Sequence, residues 1–229
     1  MREKNRRSAT AARASAVPPM RKPAPPASDA VIVASFPPQV AAGCRVLVLG
    51  TVPSLRSLEL RQSYAHAHNL FWPMMGTLYG AGPDLPYAER IRLLQAAGIG
   101  IWDVLKECER PGSLDSSILA HSEIANDIPG LLDAYPTIQA IALNGAKAQQ
   151  VFQRRIAPNI AANRLKNLEI LAMPSTSPAN ASIPRDVKLE RWRELLRWAP
   201  GIAGPAKAEA DWRKQGGARV RRTEGTKKS

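Results

Sequence analysis

The 229-residue chain is poor in the residues from which most metal and cofactor sites are built. Cys44 and Cys108 are its two cysteines, and without a C-x-x-C spacing they cannot alone hold an iron–sulfur cluster or a structural zinc. A reduced cytosolic chain is the simpler reading. Of the three histidines, His66 and His68 lie two apart and His121 lies far along the chain. No carboxylate or cysteine cluster in the sequence completes a metal site around them, so no metal is expected. There is no run of about 18 apolar residues to span a membrane, and the first 30 residues lack the apolar stretch of a secretory signal. The Arg/Ala/Ser-rich start resembles a transit peptide in composition, but Pro18, Pro19, Pro23, Pro25 and Pro26 break any long amphipathic helix there.

Nucleotide motifs are missing as well. Neither G-x-x-x-x-G-K-[ST] nor G-x-G-x-x-G occurs, which excludes the two commonest nucleotide cradles by motif, and no G-x-S-x-G elbow supports a hydrolase triad. Acidic residues are also scarce, 19 against 32 lysines and arginines, and the imbalance sits at the ends. Residues 1–30 hold seven basic and two acidic residues, residues 201–229 hold eight and three, and the stretch between holds seventeen and fourteen. Basic ends on a nearly balanced body suit salt-dependent contact with a polyanion.

What is present is 45% hydrophobic residues in a pattern of alternating elements. Residues 1–41 and 200–229, rich in Pro, Ala, Gly and basic residues, are expected to be disordered arms around a single domain at 42–199. Cys44–Gly50, Ile99–Val104, Ile138–Leu143 and Leu168–Met173 are short apolar runs of the kind buried on both faces of a parallel sheet. Amphipathic stretches at Leu85–Ala97, Ile124–Tyr135, Ala146–Ile156 and Asp186–Trp198 lie between or after them. The order predicts an α/β fold of three layers, with helices on both faces of the sheet. Asp103, Asp115 and Asp127 are either caps or site residues, and caps are favoured because Asp115 and Asp127 stand near predicted helix starts.

Ligands of such sheets sit beyond the carboxyl ends of the strands. Three of those ends carry unusual sequences. Gly50-Thr51-Val52-Pro53 follows the first strand, and shortly after it Tyr64-Ala65-His66-Ala67-His68-Asn69-Leu70-Phe71-Trp72 crowds aromatic, imidazole and amide groups. Asn69 offers both a donor and an acceptor, which is what the lactam edge of uracil or hypoxanthine requires. Asn144-Gly145 ends another strand, and Pro174-Ser175-Thr176-Ser177-Pro178-Ala179-Asn180 ends the last. Hydroxyls and backbone N–H groups in such a loop can hold phosphates, and a compact Pro-Ala pair can wedge a minor groove.

At these residues the chain resembles the uracil-DNA glycosylase superfamily, most closely its hypoxanthine-DNA glycosylase branch. Similar segments run in order from 50–58 through 64–72, 100–118, 126–132, 143–148 and 174–180. The resemblance implies a central four-stranded parallel sheet between helices and a monofunctional, cofactor-free enzyme acting as a monomer. It also implies the reaction: a deaminated base, hypoxanthine first, is flipped from DNA and hydrolysed off to leave an abasic site. The DNA partner would carry deoxyinosine or deoxyuridine, and the place of action would be the cytoplasm, on the nucleoid.

By position, the resemblance implies a base pocket of Gly50, Thr51, Val52, Tyr64 and His66, with Tyr64 stacking on the base and Asn69 as the catalytic amide. It places Asn144, Gly145 and Lys147 beside the DNA backbone, and Ser175, Thr176, Ser177, Pro178, Ala179 and Asn180 in the phosphate-pinching and wedge loop. Val52 stands where many relatives have a water-orienting Asp or Asn, and Met173 where many have His or Asn. Water attack without base assistance, and hence a slow reaction, is the expectation. Ala67 replaces a common proline and should leave the His66–Asn69 turn less restrained. Two alternatives stand beside this reading: a uracil or mismatch glycosylase of broad specificity, and a non-catalytic DNA-binding module. Within the site, His66 or His68 is the alternative catalytic group, because an imidazole could donate to the leaving base.

Overall fold

The computed structural model describes residues 31–201. The arm as far as residue 30 and the tail from residue 202 lie outside the described residues. In chain order the elements are β1 (Val31–Ala34), β2 (Val46–Gly50), α1 (Leu55–Leu60), α2 (Phe71–Tyr79), α3 (Tyr87–Ala96), β3 (Ile99–Asp103) and β4 (Leu105–Arg110). After them come β5 (Ile124–Ala125), α4 (Ile128–Ala134), β6 (Ala140–Asn144), α5 (Ala146–Val151), α6 (Ala162–Lys166), β7 (Glu169–Met173) and α7 (Arg185–Trp192). A π-helical segment, Phe152–Ile156, extends α5, and a 3₁₀ segment, Arg193–Arg197, extends α7.

The four apolar runs form one parallel sheet in the order β3-β2-β6-β7. Alternation along β2 divides the core: Val46 and Val48 join one apolar cluster, Leu47 and Leu49 the other, and all four are fully buried. Each such side chain contributes about 1.5–3 kcal/mol by leaving water. The first cluster packs α2, α3 and α7 on one face, through Phe71, Met74, Leu94, Leu189 and Trp192. The second packs α4, α5 and the π segment on the other, through Ile128, Leu132, Val151 and Phe152. The result is the three-layer α/β/α arrangement expected from the order of elements.

One expectation is corrected. Residues 31–41 are not part of a disordered arm, because β1 pairs antiparallel with β4 and Gln39 bridges to Ile101. A second sheet of three strands, β1-β4-β5, is thereby formed. Its strand β4 (Leu-Lys-Glu-Cys-Glu-Arg) is too charged to read as a buried run; beyond a register shift near Leu105 it alternates, with Cys108 and Arg110 buried, and Leu105 is buried as well. Only Val104 separates β3 from β4, so the chain passes directly from the large sheet to the small one.

Candidate active site

The carboxyl ends of β2, β3 and β6 and the loop after β7 surround one cleft of about 380 Å³, within the range of small-ligand sites. At the end of β2, a Cβ on Gly50 would stand 2.6 Å from Asp103 Oδ1 and 3.0 Å from Tyr64 Oη. Only glycine lets these two polar groups close over the strand. Thr51 and Val52 follow, both buried and both lining the cleft.

The loop between α1 and α2 brings in the aromatic and the amide. Tyr64 adopts φ +58°, a left-handed conformation that a bulky residue rarely takes. Its neighbours hold it there: Ser63 N donates to Tyr87 Oη (3.0 Å), Trp72 Nε1 donates to Ser63 O (2.9 Å), and Ala65 N donates to Ser57 Oγ (3.2 Å). One face of the ring stacks on Phe71 at 3.9 Å, and Phe71 meets Trp192 edge-on at 6.0 Å. The buried Tyr64 hydroxyl lies near the Asn144 side chain, which is already engaged with Thr176, and forms no well-aligned hydrogen bond among the described residues. Burial, then the nearby Asp103 carboxylate, push its ionisation far above the ordinary phenol value, so it stays neutral.

Asn69 is oriented by the backbone that follows it. Its Oδ1 accepts from Phe71 N at 2.9 Å at the start of α2, while its own N–H closes the turn onto His66 O at 2.8 Å. Leu70 N donates to Thr176 O (2.9 Å), tying this loop to the one after β7. The turn is therefore restrained without a proline at 67. The amide keeps Nδ2 as its free donor in the cleft, since reversing it would set NH₂ against the Phe71 N–H.

His66 does not line the cleft, which corrects its place in the expected base pocket. The same turn that points Asn69 inward leaves His66 and His68 exposed, with His66 Nδ1 accepting from His68 N at 3.2 Å. Neither imidazole lines the cleft, so the alternative that one of them is the catalytic group has no geometric support.

Residues at the other two strand ends divide between support and surface. Asn144 is buried and clamps Thr176 twice, its Nδ2 donating to Oγ1 and its Oδ1 accepting from N, both at 2.9 Å. Thr176 is fully buried, so its hydroxyl holds the loop and is not presented to a phosphate. Gly145, at φ +99°, lets the chain pass Ser175, where a Cβ would come within 2.8 Å of the serine Cβ. Trp192 Nε1 and the buried Lys188 Nζ brace the loop from α7, through Pro174 O (3.0 Å) and Asn180 O (2.5 Å). Ser175, Ser177 and the exposed Ala179 line the cleft, and Pro178 between them is exposed and does not line it. Lys147 reaches the rim with its Nζ 2.7 Å from Glu123 Oε1, and Glu123 also pairs with Arg154 and Arg155.

Two aspartates that the sequence leaves open between cap and site, and an arginine it does not single out, meet at the site. Asp103, the last residue of β3, lines the cleft, and its ionisation is pushed up to about 7 by burial and by Asp115, against the pull of Arg110. Asp115, read as a cap, lies beside it and accepts from Thr51 Oγ1 at 2.7 Å. Arg110, 1% exposed, donates to Pro53 O (2.6 Å) and Gly112 O (3.0 Å) and stands 3.9 Å from Asp115 Oδ1. Asp127 does act as a cap, accepting from Gly130 N at 2.9 Å. Among the described residues no group of three or more His, Cys, Asp or Glu side chains is placed to hold a metal, and no helix is long and apolar enough to cross a membrane.

A strand-end cleft with an oriented amide, a stacked tyrosine and a braced Ser/Pro loop, on a three-layer α/β/α sheet, defines a base-binding domain of the glycosylase type. Residues 37–196 match the model of the uracil DNA glycosylase superfamily, and the chain belongs to that superfamily. It is 32% identical over 168 residues to a hypoxanthine DNA glycosylase of Methanosarcina acetivorans, a match covering 73% of this chain and 99% of the relative. A hypoxanthine DNA glycosylase of Methanosarcina barkeri is 32% identical over 114 residues, covering 49% of this chain and 71% of that one. The solution NMR structure of a candidate uracil DNA glycosylase from Methanosarcina acetivorans superposes with a TM-score of 0.60 at 30% identity, covering 73% of this chain and 98% of that one. The function that follows is that of a DNA glycosylase.

Proposed function

We propose that the protein removes hypoxanthine from deoxyinosine in DNA, by base flipping and hydrolysis of the N-glycosidic bond, as a monomer. The observation that carries this reading is the fixed polarity of Asn69, whose Oδ1 is engaged by Phe71 N while Nδ2 is free in the cleft. A donor facing the base at that point suits the carbonyl of a lactam edge. Adenine presents an amine there, two donors would then meet, and buried polar mismatches of this kind reject a substrate strongly.

Departure of the base leaves negative charge on it and positive charge on the sugar. Asn69 Nδ2 stabilises the departing base, and Tyr64 holds it by its ring. Serines 175 and 177 and the exposed Pro178-Ala179 pair meet the backbone and the gap left in the stack. Val52 itself offers no group to water. The names of the relatives support hypoxanthine as the first base to test.

The test is single-turnover excision from duplexes carrying one deoxyinosine, deoxyuridine or deoxyxanthosine, read as alkali cleavage at the abasic site. Asn69→Ala should lower deoxyinosine excision by at least about a hundredfold, as loss of one oriented donor does elsewhere. Binding to abasic-site DNA should persist. Unchanged excision by the variant would remove Asn69 from the chemistry, and a wild type inert on all three bases would favour a non-catalytic DNA-binding module.

A further inference from the structure

Asp103 lies in the 100–118 segment and is given no role at the base pocket by the resemblance, yet it lines the cleft. We infer that Asp103 is the general base that positions and deprotonates the attacking water, an inference that rests on the glycosylase reading above. Parallel pairing sets Asp103 directly beside Gly50, and the absence of a Cβ at Gly50 is what admits its carboxylate. Its backbone is fixed on both sides: Asn126 Nδ2 donates to Asp103 O at 2.9 Å, and Val104 N donates to Gly50 O at 2.9 Å. The strand end that carries it is therefore fixed, and the carboxylate projects over Gly50 next to the Tyr64 hydroxyl.

The two cleft carboxylates are used differently. Asp115 is bound by Thr51 Oγ1 and faces Arg110, so it is occupied by the protein. The Asp103 carboxylate accepts no hydrogen bond from any described residue and is open to the cleft, where a water would be its partner. Val52 lies on the neighbouring loop and is apolar, so the group that the first motif lacks is supplied by the adjacent strand. The charged and titratable groups around Asp103 are Tyr64 from the α1–α2 loop, Arg110 from β4 and Asp115 from the loop after it.

The step balances without a further reactant. As the C1′–N bond breaks, its electron pair leaves with the base, and the water oxygen bonds to C1′. One water proton passes to the Asp103 carboxylate and is returned to the departing base or to solvent. The products are the free base and the abasic sugar, and the carboxylate is regenerated.

The test is single-turnover excision at saturating enzyme across pH 5.5 to 9, with binding to abasic-site DNA and thermal unfolding followed in parallel. In the wild type the rate should rise with pH through a limb near 7 and then level. Asp103→Asn should lose about 10²- to 10⁴-fold in rate, the usual range for a general base, and lose the limb while binding and folding persist. Asp115→Asn removes a neighbouring negative charge and should move the limb to lower pH. Added formate should restore part of the rate to Asp103→Ala. A wild-type enzyme that excises, with Asp103→Asn matching it in rate and limb, would overturn the inference alone. A wild type inert on every deaminated base would overturn the glycosylase reading first and this inference with it.

Discussion

Replacing Asp103 by asparagine should make the protein more stable in alkaline solution, and the size of the gain follows from the cleft. Burial and Asp115 carry this carboxyl from an ordinary value of 3.8 to about 7 in the folded chain. Below pH 3.8 both folded and unfolded states hold the proton, and the group does not affect stability. Between about 4 and 7 the unfolded chain gives up its proton while the folded chain keeps it, so stability falls as pH rises. Above 7 the loss levels off at about 4 kcal/mol for the full displacement. An amide has no such transition. Urea denaturation at pH 5 and pH 8.5 should therefore show the wild type losing about 2–3 kcal/mol relative to Asp103→Asn across that interval, the part of the transition that lies above pH 5. Parallel pH dependences for the two proteins would refute the reasoning, since they would mean that the carboxyl ionises in the folded state as it does in the unfolded chain.

Gly50→Ala should abolish excision and cost about 1–3 kcal/mol, because the new methyl would stand 2.6 Å from Asp103 Oδ1 and must displace it or Tyr64; circular dichroism melts and single-turnover assays check both. Glu123→Gln leaves Lys147, Arg154 and Arg155 without their shared carboxylate, and should cost about 2 kcal/mol, less than a fully buried pair because the two arginines are part-exposed. Burial opposes the charge of Glu123 but its cations more than compensate, holding the carboxyl below its usual range, so this stability is present above about pH 4.5 and is lost as pH falls. Deleting residues 1–30 and 203–229 removes the two most basic stretches and should weaken DNA binding and flatten its salt dependence, with little change in excision on short saturating DNA. An unchanged salt slope in a filter-binding or anisotropy titration would leave those stretches as spacers.

The parallel sheet could be read from Val46–Gly50, Ala140–Asn144 and Glu169–Met173 because strands covered on both faces must be short apolar runs. The chemistry at the strand ends pointed to the cleft, and Asn69 and Ser175 line it. Asp103 could not be assigned between cap and site because Ile99–Asp103 continues without a turn into β4, so its strand end looks like the middle of a longer segment. Asp115 looked like a cap because a capping aspartate and a cleft aspartate have the same local sequence; only the fold brings Thr51 to 2.7 Å from it. His66 was drawn into the pocket by proximity in sequence, whereas a four-residue turn sends neighbours in opposite directions. Val31–Ala34 read as part of an arm because its apolar face is a single residue, Val33, with Val31 and Ile32 exposed.

That short first strand has a mechanical meaning for the chemistry. Val31 is the register partner of Arg110, the buried guanidinium that holds Pro53 and Gly112 and faces Asp115. A pull on the chain just before Val31 is thus delivered, through one rung of a ladder, to the charge that balances the two cleft carboxylates. Trimming the protein after residue 30 keeps that rung, while trimming it after residue 41 removes β1 altogether. The second cut would produce an altered active site rather than a shorter version of the same enzyme.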